Sequence, residues 1–249
     1  MKVNLQPAYI LSLRPYRETS ALVEVFTQNY GRVGLVAKGV RQQRSKIAGL
    51  LQPFRSLLLS WVGRGDLVTL VSAEITDGDL TLVGEGLVCA FYLNELLLRL
   101  LSRYDPFEAL FLVYTRSLLS LTNLQQRQQA LRLFERDLLA HLGYGPLLQY
   151  EADTYQPIEA EQWYNYKAEK GPQRFHTEDL EGMRIQGRTL LNLAQGQLTD
   201  PVSLRESKYL LRWLLSFYLG SKPLKSQYLL KELRQFSNND KKRAAHDHK

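Results

Sequence analysis

Residues 25–65 contain no Asp or Glu over 41 positions and carry seven Arg or Lys. At the centre lies Val36-Ala37-Lys38-Gly39-Val40-Arg41-Gln42-Gln43-Arg44-Ser45-Lys46. A one-sign block set between β-like segments attracts polyanions, nucleic acid above all. Lys38, Arg41, Arg44 and Lys46 read as the main phosphate ligands if Gly39–Ser45 is an exposed connection. Arg14, Arg32, Arg55 and Arg64 extend the track. Such contacts give affinity without sequence information. Tyr16, Tyr30 and Trp61 are candidates for stacking on bases, worth about 1–3 kcal/mol each where it occurs. The plainer reading is a solvated loop with aromatics in the core, and for the three rings it is the stronger of the two.

Little else is arranged for chemistry. No Gly-x-x-x-x-Gly-Lys phosphate loop occurs, and Gly31, Gly34 and Gly39 follow no dinucleotide spacing. His141, His176, His246 and His248 form no helical metal-ligand pair on an expected element. Ser45 and Ser226 sit in no nucleophile elbow. Glu18, Glu24, Glu74 and Asp66 are scattered, which argues against a metal nuclease. Cys89 is the only cysteine, in the apolar run Leu87-Val88-Cys89-Ala90-Phe91, and reads as a buried structural thiol with neither disulfide nor cysteine zinc site. The residues favour a binding protein with no catalytic group, no metal and no cofactor. The rival classes are an RNA-binding module and a metal-dependent nuclease.

The elements that must hold these bases come in two kinds. Ala8–Leu13, Ala21–Thr27, Arg32–Lys38, Phe54–Val62 and Leu67–Ile75 read as strands, separated by Pro15, Asn29-Tyr30-Gly31, Gly39 and Gly63-Arg64-Gly65-Asp66. Five short strands suggest a small closed barrel, with the OB-fold as the first expectation and an SH3-like barrel as the alternative. Beyond residue 82 the apolar period turns helical. Leu87 to Leu101 marks one helix. Phe107 to Leu118 marks a second, opened by Asp105-Pro106, and Leu131 to Leu142 a third, ended by Gly143. Ser203 and Glu206 read as a capping box for a helix through Phe217, and Leu224–Leu233 as a last basic helix. The fold class is α+β, an N-terminal five-stranded barrel followed by a mainly α-helical domain.

The expected domains are 1–82 for the barrel and 83–236 for the helices. A hairpin or irregular insertion falls near 150–180, and a frayed tail over 237–249. Charge follows this plan. Of the formal net +7, residues 1–82 hold 10 bases against 6 acids, 83–202 hold 11 against 15, and 203–249 hold 11 against 4. A basic head and tail can meet one polyanion, and Arg212, Lys222, Lys225 and Lys231 are the tail's candidates. On the third helix, Arg132 and Arg136 are read on the polar side of the Leu131/Phe134/Leu138 stripe. Bases beside an apolar groove can hold a peptide end with a carboxylate. From the residues alone, ordinary surface arginines paired with Glu135 or Asp137 are the commoner arrangement. No secretory leader and no membrane span is read, which suits a cytoplasmic protein.

Ordered blocks across the chain resemble the bacterial recombination-mediator and DNA-annealing family RecO. They include Arg14-Pro15-Tyr16-Arg17-Glu18-Thr19-Ser20, Gly31-Arg32-Val33, Val36-Ala37-Lys38-Gly39-Val40-Arg41, and Leu51-Gln52-Pro53-Phe54. Gly63-Arg64-Gly65-Asp66-Leu67, Tyr92-Leu93-Asn94-Glu95-Leu96, Leu131-Arg132-Leu133-Phe134-Glu135 and Lys222-Pro223-Leu224-Lys225-Ser226 continue them. The resemblance implies an OB-fold joined to helices, binding of single- and double-stranded DNA, and strand annealing. It also implies work with RecR in helping RecA load onto DNA coated by single-stranded DNA-binding protein (SSB). It implies that the helical domain contacts the acidic-apolar SSB tail, with Arg132 leading and Arg116 and Arg136 following. Some members carry a four-cysteine zinc module, for which this chain lacks the cysteines.

Overall fold

The computed structural model describes residues 1–76, 80–176 and 181–233, and its contacts divide the chain into two compact units. One joins residues 1–124 to the segment beginning at Lys222; the other is Gln125–Ser221.

In the first unit, β1 (Lys2–Tyr16), β2 (Ser20–Thr27), β3 (Gly31–Ala37), β4 (Leu57–Val62) and β5 (Leu67–Ile75) form a closed barrel. Their order is β1-β2-β3-β5-β4, with β4 returning to β1. Every pairing is antiparallel except β3 with β5. This is the OB-fold, and the SH3-like alternative falls away. Period-two alternation sorts the side chains: Ile10, Val23, Val25, Val33, Leu35 and Leu59 fill the barrel. Tyr9 and Phe26 alternate with these residues and are equally buried. The reason is α2 (Glu108–Leu121), whose Phe111 and Tyr114 rings lie 5.5 and 5.2 Å from Tyr9.

α1 (Glu85–Leu100) packs on β1 through Asn94, whose amide donates to the carbonyls of Ile10 at 3.2 Å and Leu11 at 3.0 Å. That contact falls where a bulge shifts the β1–β2 register between Ile10 and Ser12. The Tyr114 hydroxyl donates to Asn94 Oδ1 at 2.5 Å, and complete burial pushes the phenol far above its ordinary pKa. Cys89 is buried, as its apolar run suggests. Asp105 does not cap α2: Phe107 occupies the N-cap position without a side-chain bond. The Asp105 carbonyl instead lies against Gly31, where an added Cβ would stand 1.8 Å from its oxygen. With φ at +63°, Gly31 is where the α1–α2 linker crosses the barrel.

The second unit contains α3 (Arg127–His141), β6 (Trp163–Lys167), β7 (Gly171–Arg174), β8 (Met183–Gln186), α4 (Gly187–Gln195) and α5 (Pro201–Leu219). The strands form a sheet in the order β7-β6-β8. The insertion expected near 150–180 is therefore a regular sheet whose third strand comes from beyond it. The capping box at Ser203 and Glu206 is corrected. Asp200 caps α5, accepting from the Ser203 N–H at 2.8 Å, with Pro201 in the first turn. Glu206 accepts instead from the Thr189 hydroxyl at 2.6 Å. Residues 225–233 form the terminal helix, while the tail expected at 237–249 lies outside the described residues. No helix among the described residues is long and apolar enough to cross a membrane.

Candidate nucleic-acid interface

The base-rich connection leaves the barrel at the end of β3 and turns on Gly39, at φ +65°. Arg41 ties it to the β1–β2 turn, its backbone N–H donating to the Thr19 carbonyl at 2.9 Å and Nη1 to the Arg17 carbonyl at 3.2 Å. Lys38, Arg41, Arg44 and Lys46 are exposed, as are Arg14 and Arg17. One end of the barrel thus gathers bases from two connections, β1–β2 and β3–β4, with Glu18 as the acid of the β1–β2 turn. Arg17, whose guanidinium lies 5.1 Å from the Tyr16 ring centre, was not among the expected ligands. Its position in the turn after Arg14-Pro15-Tyr16 was the signal for it. Arg55 sits near the far end of the same connection, donating to the Gly49 carbonyl at 2.9 Å.

Other expected ligands are placed elsewhere. Because β3 and β5 run parallel, the turn entering β5 and the connection leaving β3 are at opposite barrel ends. Arg64, exposed in that turn, is therefore apart from Lys38 and Arg41. Arg32 is corrected from phosphate ligand to structural residue. Its Nε lies 3.4 Å from Glu24 Oε2, and Nη1 donates to the Leu98 carbonyl. Glu24 also accepts from Arg103, which reaches the Asp66 carbonyl at 3.2 Å. Burial lowers the Arg32 pKa, whereas the bond to Glu24 raises that of Arg103. Trp61 is only 1% exposed and Tyr30 packs edge-on against it at 5.4 Å, so Trp61 has no face to offer a base.

The C-terminal bases join the barrel unit through α1. Glu95 accepts from the backbone N–H groups of Lys225 and Ser226, both at 2.9 Å, and from the Ser226 hydroxyl at 2.7 Å. Leu224 is buried beside this cap, and Lys222 and Lys225 remain exposed. Arg212 belongs to the other unit, half-buried on α5.

The expected peptide contacts are likewise divided. Arg116 is exposed on α2, in the barrel unit. Arg132 does not project from the polar side of α3; it is 1% exposed and pairs with Glu135 at 2.7 Å. Its Nε and Nη1 have no hydrogen-bond partner. Arg136 bonds Asp137 at 2.7 Å and caps the end of α4 through the Leu193 and Ala194 carbonyls. Both α3 arginines are thus paired with the acids read from the residues, but Arg132 is buried where a surface arginine was expected. In the 150–180 region the polar clasp is Glu151, buried, accepting from Arg174 at 2.8 Å and from the Thr154 hydroxyl. Among the described residues no three His, Cys, Asp or Glu side chains are grouped to hold a metal.

An OB barrel with bases crowded at one end, fused to helices, is the architecture of a nucleic-acid-binding protein. Comparison with known proteins makes the class specific. The family model for the Recombination protein O N terminal domain matches residues 1–78, and that for its C terminal domain matches residues 83–227. The DNA repair protein RecO of Nitrosococcus oceani is 67% identical over 242 residues, covering 97% of this chain and 98% of that protein. That of Nitrosospira multiformis is 45% identical, covering 92% and 96%. The chain belongs to the RecO family.

Proposed function

We propose that this protein is a DNA repair and recombination mediator that acts without catalysis or cofactor. It binds single- and double-stranded DNA and anneals complementary strands, including strands coated with SSB. With RecR, it assists RecA loading. The observation that carries this reading is the set of exposed bases on the two connections that Arg41 joins at one barrel end. Phosphates neutralised there and at Lys222 and Lys225 no longer repel a second strand, so base pairing itself drives annealing. The work is assigned to the bacterial cytoplasm, on nucleoid DNA.

Recruitment to coated DNA would run through the SSB tail. Arg132 is the favoured contact: two of its buried guanidinium nitrogens lack partners, and the tail carboxylate engages them when the 1%-exposed side chain is uncovered on binding. Arg136, on the same helix, is the secondary contact; Arg116, in the barrel unit, is a separate candidate. The experiment is annealing of SSB-coated oligonucleotides in EDTA with intact or tail-deleted SSB. Acceleration that vanishes with the tail supports both parts. Acceleration indifferent to the tail removes recruitment. No acceleration overturns the annealing reading and brings the RNA and nuclease readings forward.

A further inference from the structure

Along α5 two stripes lie side by side. Arg205, Lys208 and Arg212 follow at i, i+3 and i+7, while Tyr209, Trp213 and Phe217 follow at i, i+4 and i+8. At 3.6 residues per turn these are neighbouring rows on one side of the helix. The opposite side holds the buried Ser203, Ser207, Leu210, Leu211, Leu214 and Leu215 and forms the core contact. A helix with one apolar face needs only that contact. Here a second face carries large rings in the open: Tyr209 is 57% exposed and Phe217 is 55% exposed. The Trp213 ring stands edge-on to Phe217 at 5.3 Å. The one acid of α5, Glu206, is turned away to Thr189 and the Gln186 N–H. Arg212 Nε has no partner.

We infer that this double stripe is a second seat for single-stranded nucleic acid, separate from the basic end of the barrel. The inference rests on the annealing reading and supplies what it requires, a place for the other strand. Positive charge beside a ring row matches the two parts of a strand, phosphates over the Arg205–Arg212 row and bases over the aromatic row. The rings are about 6 Å apart along the axis, so the row is about 12 Å long, room for a few stacked nucleotides. Stacking tolerates any base, which suits a protein that must anneal any sequence.

The test uses the full chain carrying Trp163→Phe, so that emission comes from Trp213 and the core residue Trp61. A thymidine oligonucleotide is the probe, followed by its polarisation and by Trp213 quenching. The seat predicts saturable quenching. It also predicts that Tyr209→Ala with Phe217→Ala slows annealing and weakens the quenching phase about thirtyfold or more, the worth of two lost stacking contacts. Both side chains are exposed, and circular dichroism checks that the variant folds. Polarisation that rises while Trp213 emission stays constant overturns the inference and leaves the barrel site standing. Quenching by an acidic apolar peptide but not by the oligonucleotide also overturns it. If polarisation itself does not change, the DNA reading as a whole falls.

Discussion

The carboxylate of Glu95 holds the start of the terminal helix, accepting the backbone N–H groups of Lys225 and Ser226 at 2.9 Å each. A side chain on α1 thus caps a helix 130 residues further along the chain. The cap fixes the basic segment Lys222–Lys225 to the barrel unit, and through it two charge-rich stretches distant in sequence belong to one body.

Replacing Glu95 by alanine removes both acceptors. The expected cost is about 1 kcal/mol, the usual worth of an N-cap. It falls locally, so amide exchange over residues 224–233 accelerates while barrel amides keep their protection. Unchanged exchange there would show that Leu224 packing alone holds the segment.

Gly31 and Gly65 both have positive φ, but only Gly31 is crowded, by the Asp105 carbonyl. Gly65→Ala meets open space and should cost about 1 kcal/mol. Gly31→Ala must in addition push the α1–α2 linker off the barrel and should cost more than about 2 kcal/mol. Urea unfolding of the two variants gives the comparison.

Arg132 and Glu135 form a buried pair on α3. Arg132→Met leaves the Glu135 carboxylate in the interior without its guanidinium, and a loss of about 3–5 kcal/mol is expected. Adding Glu135→Leu should recover most of it, since two apolar groups replace a buried ion pair at little cost. Thermal unfolding of the single and double variants tests this, and recovery of stability without recovery of tail binding would separate packing from recognition.

Glu151 gives the second unit an acid-sensitive clasp. Its hydrogen bond from Thr154, followed by that from Arg174, holds its pKa below the ordinary carboxylate value against the effect of burial. A carboxylate with a depressed folded-state pKa contributes stability above its unfolded value and loses it as pH falls through the folded one. Thr154→Ala should therefore destabilise the protein at neutral pH, with the difference from wild type closing in acid. A difference independent of pH would assign the effect to packing.

Much of this fold was legible in the residues. Val23, Val25, Val33 and Leu35 fill the barrel from its one inner face, and the five strands were legible from their apolar, β-branched content and the turn residues between them. What could not be read was which outer residues a later helix would cover. Tyr9 and Phe26 look surface-facing until α2 is laid on them, and Arg32 looks like a free base until Glu24, Leu98 and the linker surround it. Capping showed the same limit. Ser203 and Glu206 have the spacing of a capping box, but Asp200 followed by Pro201 starts the helix three residues earlier. The basic loop stayed legible because charge without acids nearby needs no tertiary partner to be recognised.

The most direct measurement of the central claim is DNA affinity against salt concentration for wild type and for Lys38→Ala with Arg41→Ala. If the joined connections at this barrel end hold phosphates, the double variant binds every sequence more weakly. Its logarithmic salt slope becomes shallower by about 1.8 on duplex and about 1.4 on single strands, the release expected for two lost phosphate contacts. Equal affinity and an equal slope would contradict the account and move the interface elsewhere on the molecule.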